Sequence, residues 1–210
     1  AKLSGGKVSE IASLESGPAS SWINLRDGNA VSASSAGPAE LESVLQQNLA
    51  QPLALASADF DEDGVADLIA TYASKSFGIL TLHRGNIDSI YSNSLEALQR
   101  KASGEFVESP FLPHGRAFKV PEAPQFVGAG DFDADGHWDI VTAARGSNRL
   151  YLFKGDGQGG FGQPEYVETS GTITSFVAGE INRPDGLTDL IVGSTGPNGS
   201  QALVFEGPEG

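Results

Sequence analysis

Three stretches of this 210-residue chain repeat one layout: a small-residue apolar run, an acidic loop, then a second apolar run. They span Leu53 to Tyr72, Phe126 to Ala144 and Phe176 to Gly193. Each is followed by a further strand-like run ending in glycine, at Gly85, Gly155 and Gly207. The last acidic residue of each loop precedes that glycine by 18, 16 and 18 residues. The loops begin at Asp59, Asp131 and Glu180, steps of 72 and 49 residues. The longer first step places an insertion between Asn86 and about Glu108, and the least repeat-like stretch is 86–117. Within it, Ser94 to Lys101 reads as a short helix with a serine N-cap and a basic C-terminal end.

The first two loops are Asp59-Phe60-Asp61-Glu62-Asp63-Gly64-Val65-Ala66-Asp67 and Asp131-Phe132-Asp133-Ala134-Asp135-Gly136-His137-Trp138-Asp139, both D-x-D-x-D-G-x-x-D. Side chains at positions 1, 3 and 5 of a tight loop converge. Glycine at position 6 permits the backbone reversal, the carbonyl at position 7 can turn inward, and position 9 closes the shell. Such an all-oxygen, flexible cage suits Ca²⁺ better than Mg²⁺, which demands strict octahedral geometry. Zn²⁺ is disfavoured because the pattern holds no His or Cys ligand. An EF-hand would need Glu at position 12 and flanking helices. Position 12 is Ala70 or Thr142, and the flanks are β-like. Asp and Gly favour turns in any case, but two complete copies in identical register, framed by strands, argue for cages. Crowded carboxylates repel when bare, so Ca²⁺ is expected to stabilise the fold.

Gly makes up 27 residues, nearly twice its usual share, and charged residues only 19%. With short β-rich runs, this indicates an all-β chain. A period near 50 with three or four strands per unit is a signature of β-propeller blades. The net charge of -14 opposes phosphate neutralisation, so nucleic-acid binding is excluded as a main function, and an anionic membrane would repel the chain. The absence of Cys removes disulfides, thiolate metal sites and Cys nucleophiles. Met is absent even at position 1, so Ala1 is expected to be a processed or excised end. No apolar run approaches the length of a membrane-spanning helix.

These loops, the Val127-Gly128-Ala129-Gly130-Asp131-Phe132 run and the Gly155 to Phe161 turn resemble FG-GAP/VCBS repeats, the calcium-binding blades of integrin α-subunit propellers and large bacterial surface proteins. The resemblance covers about residues 51–210. It implies one Ca²⁺ at Asp59, Asp61, Asp63, the Val65 carbonyl and Asp67, and a second at Asp131, Asp133, Asp135, the His137 carbonyl and Asp139. It implies no role for the His137 imidazole. The third loop is one residue longer and would offer Glu180, Asn182, Asp185, the Leu187 carbonyl and Asp189. With fewer carboxylates in the leading places, it is expected to bind more weakly, or to use an Arg183 salt bridge in place of the ion.

No catalytic constellation stands out. His83, His114 and His137 are scattered: His83 reads as a satisfied structural residue on a strand, His114 as an exposed loop residue. Gly155 to Gly160 lacks a P-loop Lys and reads as a hairpin turn. Asn198-Gly199-Ser200 is a formal glycosylation sequon of a kind that often arises by chance. Trp22, Trp138 and Tyr151 could stack on sugars, but Tyr151 is expected to pack within a strand.

The expected fold is thus all-β: a β-propeller, or part of one. Residues 1–50 would be a divergent blade or outer strands, 51–122 a blade with the insertion at 86–117, 123–170 a blade, and 171–210 an incomplete blade. Trp22 to Leu25 and Arg26 to Asn29 read as a strand and turn; Ala39 to Gln47 as a short helix or an outer strand. Either residues 1–50 complete a four-bladed disc or, as the family resemblance favours, the chain is a piece of a larger propeller. The leading function is a non-catalytic, calcium-binding module for extracellular protein or glycan binding or adhesion. Its place would be outside the cell, at the cell surface or in the periplasm. The alternatives are an architectural segment contacting neighbouring blades of a larger chain or assembly and, third, a carbohydrate-active enzyme domain.

Overall fold

The computed structural model describes residues 31, 34–181 and 186–206. The strand and turn expected at 22–29, with Trp22, lie outside them, as do Asn182, Arg183 and Asp185 of the third loop.

The chain runs β1 (Ser35–Ala36), α1 (Ala39–Gln46), β2 (Gln51–Ala58), β3 (Asp67–Ala73), β4 (Gly78–His83), α2 (Ile87–Ile90), α3 (Leu95–Ser103) and β5 (Gly115–Val120). It continues through β6 (Phe126–Gly130), β7 (Asp139–Ala143), β8 (Arg149–Phe153), β9 (Glu165–Glu168), β10 (Thr172–Gly179), β11 (Asp189–Gly196) and β12 (Gly199–Phe205). The fold is all-β, in three sheets ordered β1-β5-β4-β3-β2, β6-β7-β8-β9 and β10-β11-β12. Neighbours are antiparallel except β1 and β5. Among the described residues no sheet closes on itself.

Alternation along each strand decides how the sheets stack. On β7, Ile140 enters a core with Ile69, Leu80, Leu82 and Val120 of the first sheet, while its neighbour Val141 enters another with Ile173, Leu190 and Val192 of the third. The middle sheet is therefore covered on both faces, and all of β7 is buried. A strand buried on both faces reads as a continuous apolar run, as Ile140-Val141 does. Leu41 of α1 packs with Ile79 and Ala117 on the far side of the first sheet. Residues 39–46 are thus the helix of the two readings, and the outer strand beside β5 is the two-residue β1.

The insertion is an ordered unit. Ser94 Oγ accepts the Ala97 N–H at 3.1 Å to start α3, and Gly104 at φ 78° ends it. The Arg100 guanidinium grips both carboxylate oxygens of Asp88 in α2. The Asn86 side chain donates to the Val107 and Ser109 carbonyls at 2.9 and 2.8 Å, closing the excursion at its base.

Phe153, 2% exposed, stands between the first two sheets. Phe153→Ala should cost about 3–5 kcal/mol, read from urea unfolding midpoints. A loss well under 1 kcal/mol would mean that the two sheets do not share this core.

Candidate metal centre

The acidic loops join β2 to β3, β6 to β7 and β10 to β11, all first-to-second strand connections of their sheets. The loop glycine, at position 6 in the first two loops and one residue later in the longer third, takes the same left-handed conformation in all three: φ is 87° at Gly64, 88° at Gly136 and 86° at Gly186. Position 4 is also left-handed in the first two, at Glu62 and Ala134.

The closing aspartates do structural work. Asp67 and Asp139 are 0% exposed and Asp189 is 3% exposed. One oxygen of each accepts an N–H from the loop's second residue at 3.0 Å: Phe60, Phe132 and Ile181 respectively. The other oxygen of Asp67 and Asp139 accepts from Gly85 and Gly155 at 2.7 and 2.8 Å. The fixed spacing from aspartate to glycine thus marks a hydrogen bond from the end of the third strand back to the loop. A side chain at Gly85 would strike the Ala66 carbonyl, and one at Gly155 the Trp138 carbonyl. Burial pushes the Asp67 carboxyl up to about 6, helped by the charges of Asp61 and Asp63 and opposed by the two N–H donors. Burial likewise raises Asp139.

The carboxylates of Asp59, Asp61 and Asp67 bring oxygens within 4.8 Å of one another, and Asp131, Asp133 and Asp139 do the same. Asp63 and Asp135 stand outside these triplets, each turned back to accept the Val65 or His137 N–H at 2.9 Å. Asp59 accepts from Asp63 and Gly64, and Asp131 from Gly136, which shapes the turns. One buried oxygen in each loop, Oδ1 of Asp61 and Oδ1 of Asp131, has no hydrogen-bond partner. A buried, unpaired carboxylate oxygen is costly, and a hard cation at the meeting point of the triplet would satisfy it. The donor set fits such an ion. In the third loop Glu180 is exposed, where Asp59 and Asp131 are half-buried, and the frame is kept by the Asp189 carboxylate accepting the Ile181 N–H.

Three charged groups at these loops are ones that the acidic pattern does not include. Arg84 pairs with Asp61 and, at 3.3 Å, with Asp63. Lys154 lies 3.3 Å from Asp133. Glu62 accepts from His137 Nδ1 at 2.6 Å, joining the first loop to the second and raising the imidazole pKa. The signal for Arg84 and Lys154 was their shared place just before the marker glycine. For Glu62 there was none, since its partner lies 75 positions away. The loops are linked further. The Gly159 N–H donates to the Phe60 carbonyl at 3.0 Å, and the Thr188 N–H to the Asp131 carbonyl at 3.2 Å.

His83 is buried with Nε2 3.0 Å from Thr81 Oγ1, but its Nδ1 has no partner, so the expectation of a fully satisfied histidine is corrected. A side chain in place of Gly115 would strike that nitrogen, so only glycine fits beside the ring. His114 is exposed. Tyr151 is buried on β8 with its hydroxyl donating to Glu122 at 3.0 Å, while Trp138 is 40% exposed.

Residues 131–192 match a family model described as FG-GAP-like repeat. That span holds the second loop, β7 to β10, the third loop and the start of β11. No curated protein matches the chain. A crystal structure of BBS1N in complex with ARL6DN, soaked with mercury, aligns at 13% identity over 75% of this chain and 42% of that one, with a TM-score of 0.41. The same complex soaked with lead aligns at 12% identity over 76% and 56%, with a TM-score of 0.33. This chain therefore spans less than two thirds of either. Among the described residues no helix is long and apolar enough to cross a membrane.

Because the folded chain holds the Asp67 proton more tightly than the unfolded chain does, this group's contribution to stability falls as pH rises from 3.8 to about 6. In chelator, Asp67→Asn should therefore flatten the pH dependence of the urea midpoint across that window. An unchanged slope would show that Asp67 is not the titrating group.

Proposed function

We propose that this chain is a non-catalytic, calcium-stabilised β-propeller module that binds a protein or a glycan outside the cell. One observation carries the reading: two loops in identical register each gather three carboxylates within 4.8 Å and each keep a buried oxygen without a donor. Asp59, Asp61, Asp63, Asp67 and the Val65 carbonyl would hold one Ca²⁺; Asp131, Asp133, Asp135, Asp139 and the His137 carbonyl a second. Glu180, Asn182, Asp185, Asp189 and the Leu187 carbonyl would form a weaker third set. The ion supplies positive charge where the carboxylates meet. An affinity of about 10⁻⁴–10⁻³ M suffices in an extracellular module. The FG-GAP-like match over 131–192 supports reading each sheet as a blade.

Two exposed surfaces bear on its role. The insertion, between the third and fourth strands of the first sheet, exposes Ile87, Ile90, Tyr91, Leu95 and Leu98, which favours a protein partner at that edge. The third sheet supports the architectural reading. The second loop residue packs into the core toward the following sheet at Phe60 and Phe132, whereas Ile181 is 42% exposed, and Val177 and Val204 of the third sheet are uncovered. A further sheet of the same kind would cover them.

The test is thermal unfolding of the chelated protein against free Ca²⁺, with Mg²⁺ as control. A site filled at 100 times its Kd adds about 2.7 kcal/mol, so a clear Ca²⁺-selective rise in midpoint is expected, reduced by Asp61→Ala and by Asp133→Ala. No rise, or an equal rise with Mg²⁺, would leave the loops as acidic turns.

A further inference from the structure

Both loops receive a basic side chain from one place in the fold. Arg84 follows β4 and Lys154 follows β8, each just before the glycine whose N–H binds the buried closing aspartate. Arg84 Nε binds Oδ2 of Asp61, and Lys154 Nζ lies 3.3 Å from Oδ2 of Asp133. Asp61 and Asp133 occupy the same place, position 3 of the loop. The Asp61 side chain is 5% exposed and its Oδ1 is unpartnered, so the guanidinium takes one oxygen and leaves the other for the loop centre. Arg84 also reaches Asp63, and Lys154 also lies 3.5 Å from Glu165. In the third repeat both members of the pair change together: position 3 is Asn182, and the residue before Gly207 is Glu206.

We propose that Arg84 and Lys154 are positioning residues for the calcium loops, each fixing one oxygen of the position-3 aspartate so that this ligand is set before the ion arrives. The inference rests on the calcium reading above. Groups that orient a metal ligand are worth about 10- to 100-fold in affinity. The two side chains are 46% and 41% exposed, so the high dielectric of water weakens their repulsion of a dication.

Calcium titration calorimetry on the full chain tests this, with thermal unfolding in chelator to show that each variant folds. Arg84→Gln should weaken one of two sites about tenfold and leave the other. Lys154→Gln should do the converse and carries the test if Arg84→Gln fails to fold. Arg84→Lys and Lys154→Arg should bind nearly as wild type, since the chain already uses either base at this place. If wild type binds two ions and both glutamine variants bind as tightly or more tightly, the positioning role is overturned and the calcium reading stands. If wild type binds none, both fall.

Discussion

The buried carboxylates of Asp67, Asp139 and Asp189 tie each acidic loop to its strands, and much of the remaining geometry follows from them. One oxygen of each holds the entry of the loop through the N–H of its second residue. In the first two repeats the other oxygen reaches the end of the third strand through Gly85 or Gly155. Three strands and a turn therefore meet at one side chain. Burying a carboxylate is costly, and two backbone donors offset that cost, as the opposing influences on Asp67 record. With the frame set, the carboxylates at positions 1 and 3 can only converge beside the closing one.

Much of this was legible in the sequence because it is local and repeated. Strand order within a unit, the position-6 reversal and the Ser94 cap each depend on residues a few positions apart. The three loops, read side by side, exposed a common register that one copy would not have fixed. What stayed hidden depends on long-range contact. Glu62 meets His137 only because the sheets stack, and residues 39–46 are a helix because Leu41 finds Ile79 and Ala117 beneath it. His83 read as satisfied because a strand histidine commonly is, yet its buried Nδ1 has no partner. Asp63 and Asp135 read as equal partners in the cages, yet each turns to its own loop backbone.

The formal charge of -14 is unevenly managed. At the loops, excess negative charge is met by Arg84 and Lys154 from strand ends, while His137 of the neighbouring loop hydrogen-bonds Glu62. The hydrogen bonds Gly159 to Phe60 and Thr188 to Asp131 keep successive loops in contact.

Phe60 belongs to the first loop and to the core at once: it is 1% exposed and packs edge-on to Phe161, with ring centroids 5.6 Å apart. Such double membership forbids changes in loop length, because an added residue would pull the ring from its socket or spoil the turn. The first repeat has grown only beyond Gly85, where the chain has already left the frame. The third loop is the one that carries an extra residue, and there the corresponding side chain, Ile181, stands 42% exposed with no socket to keep. Where this chain tolerates added length is thus decided by which loop residues the core has claimed.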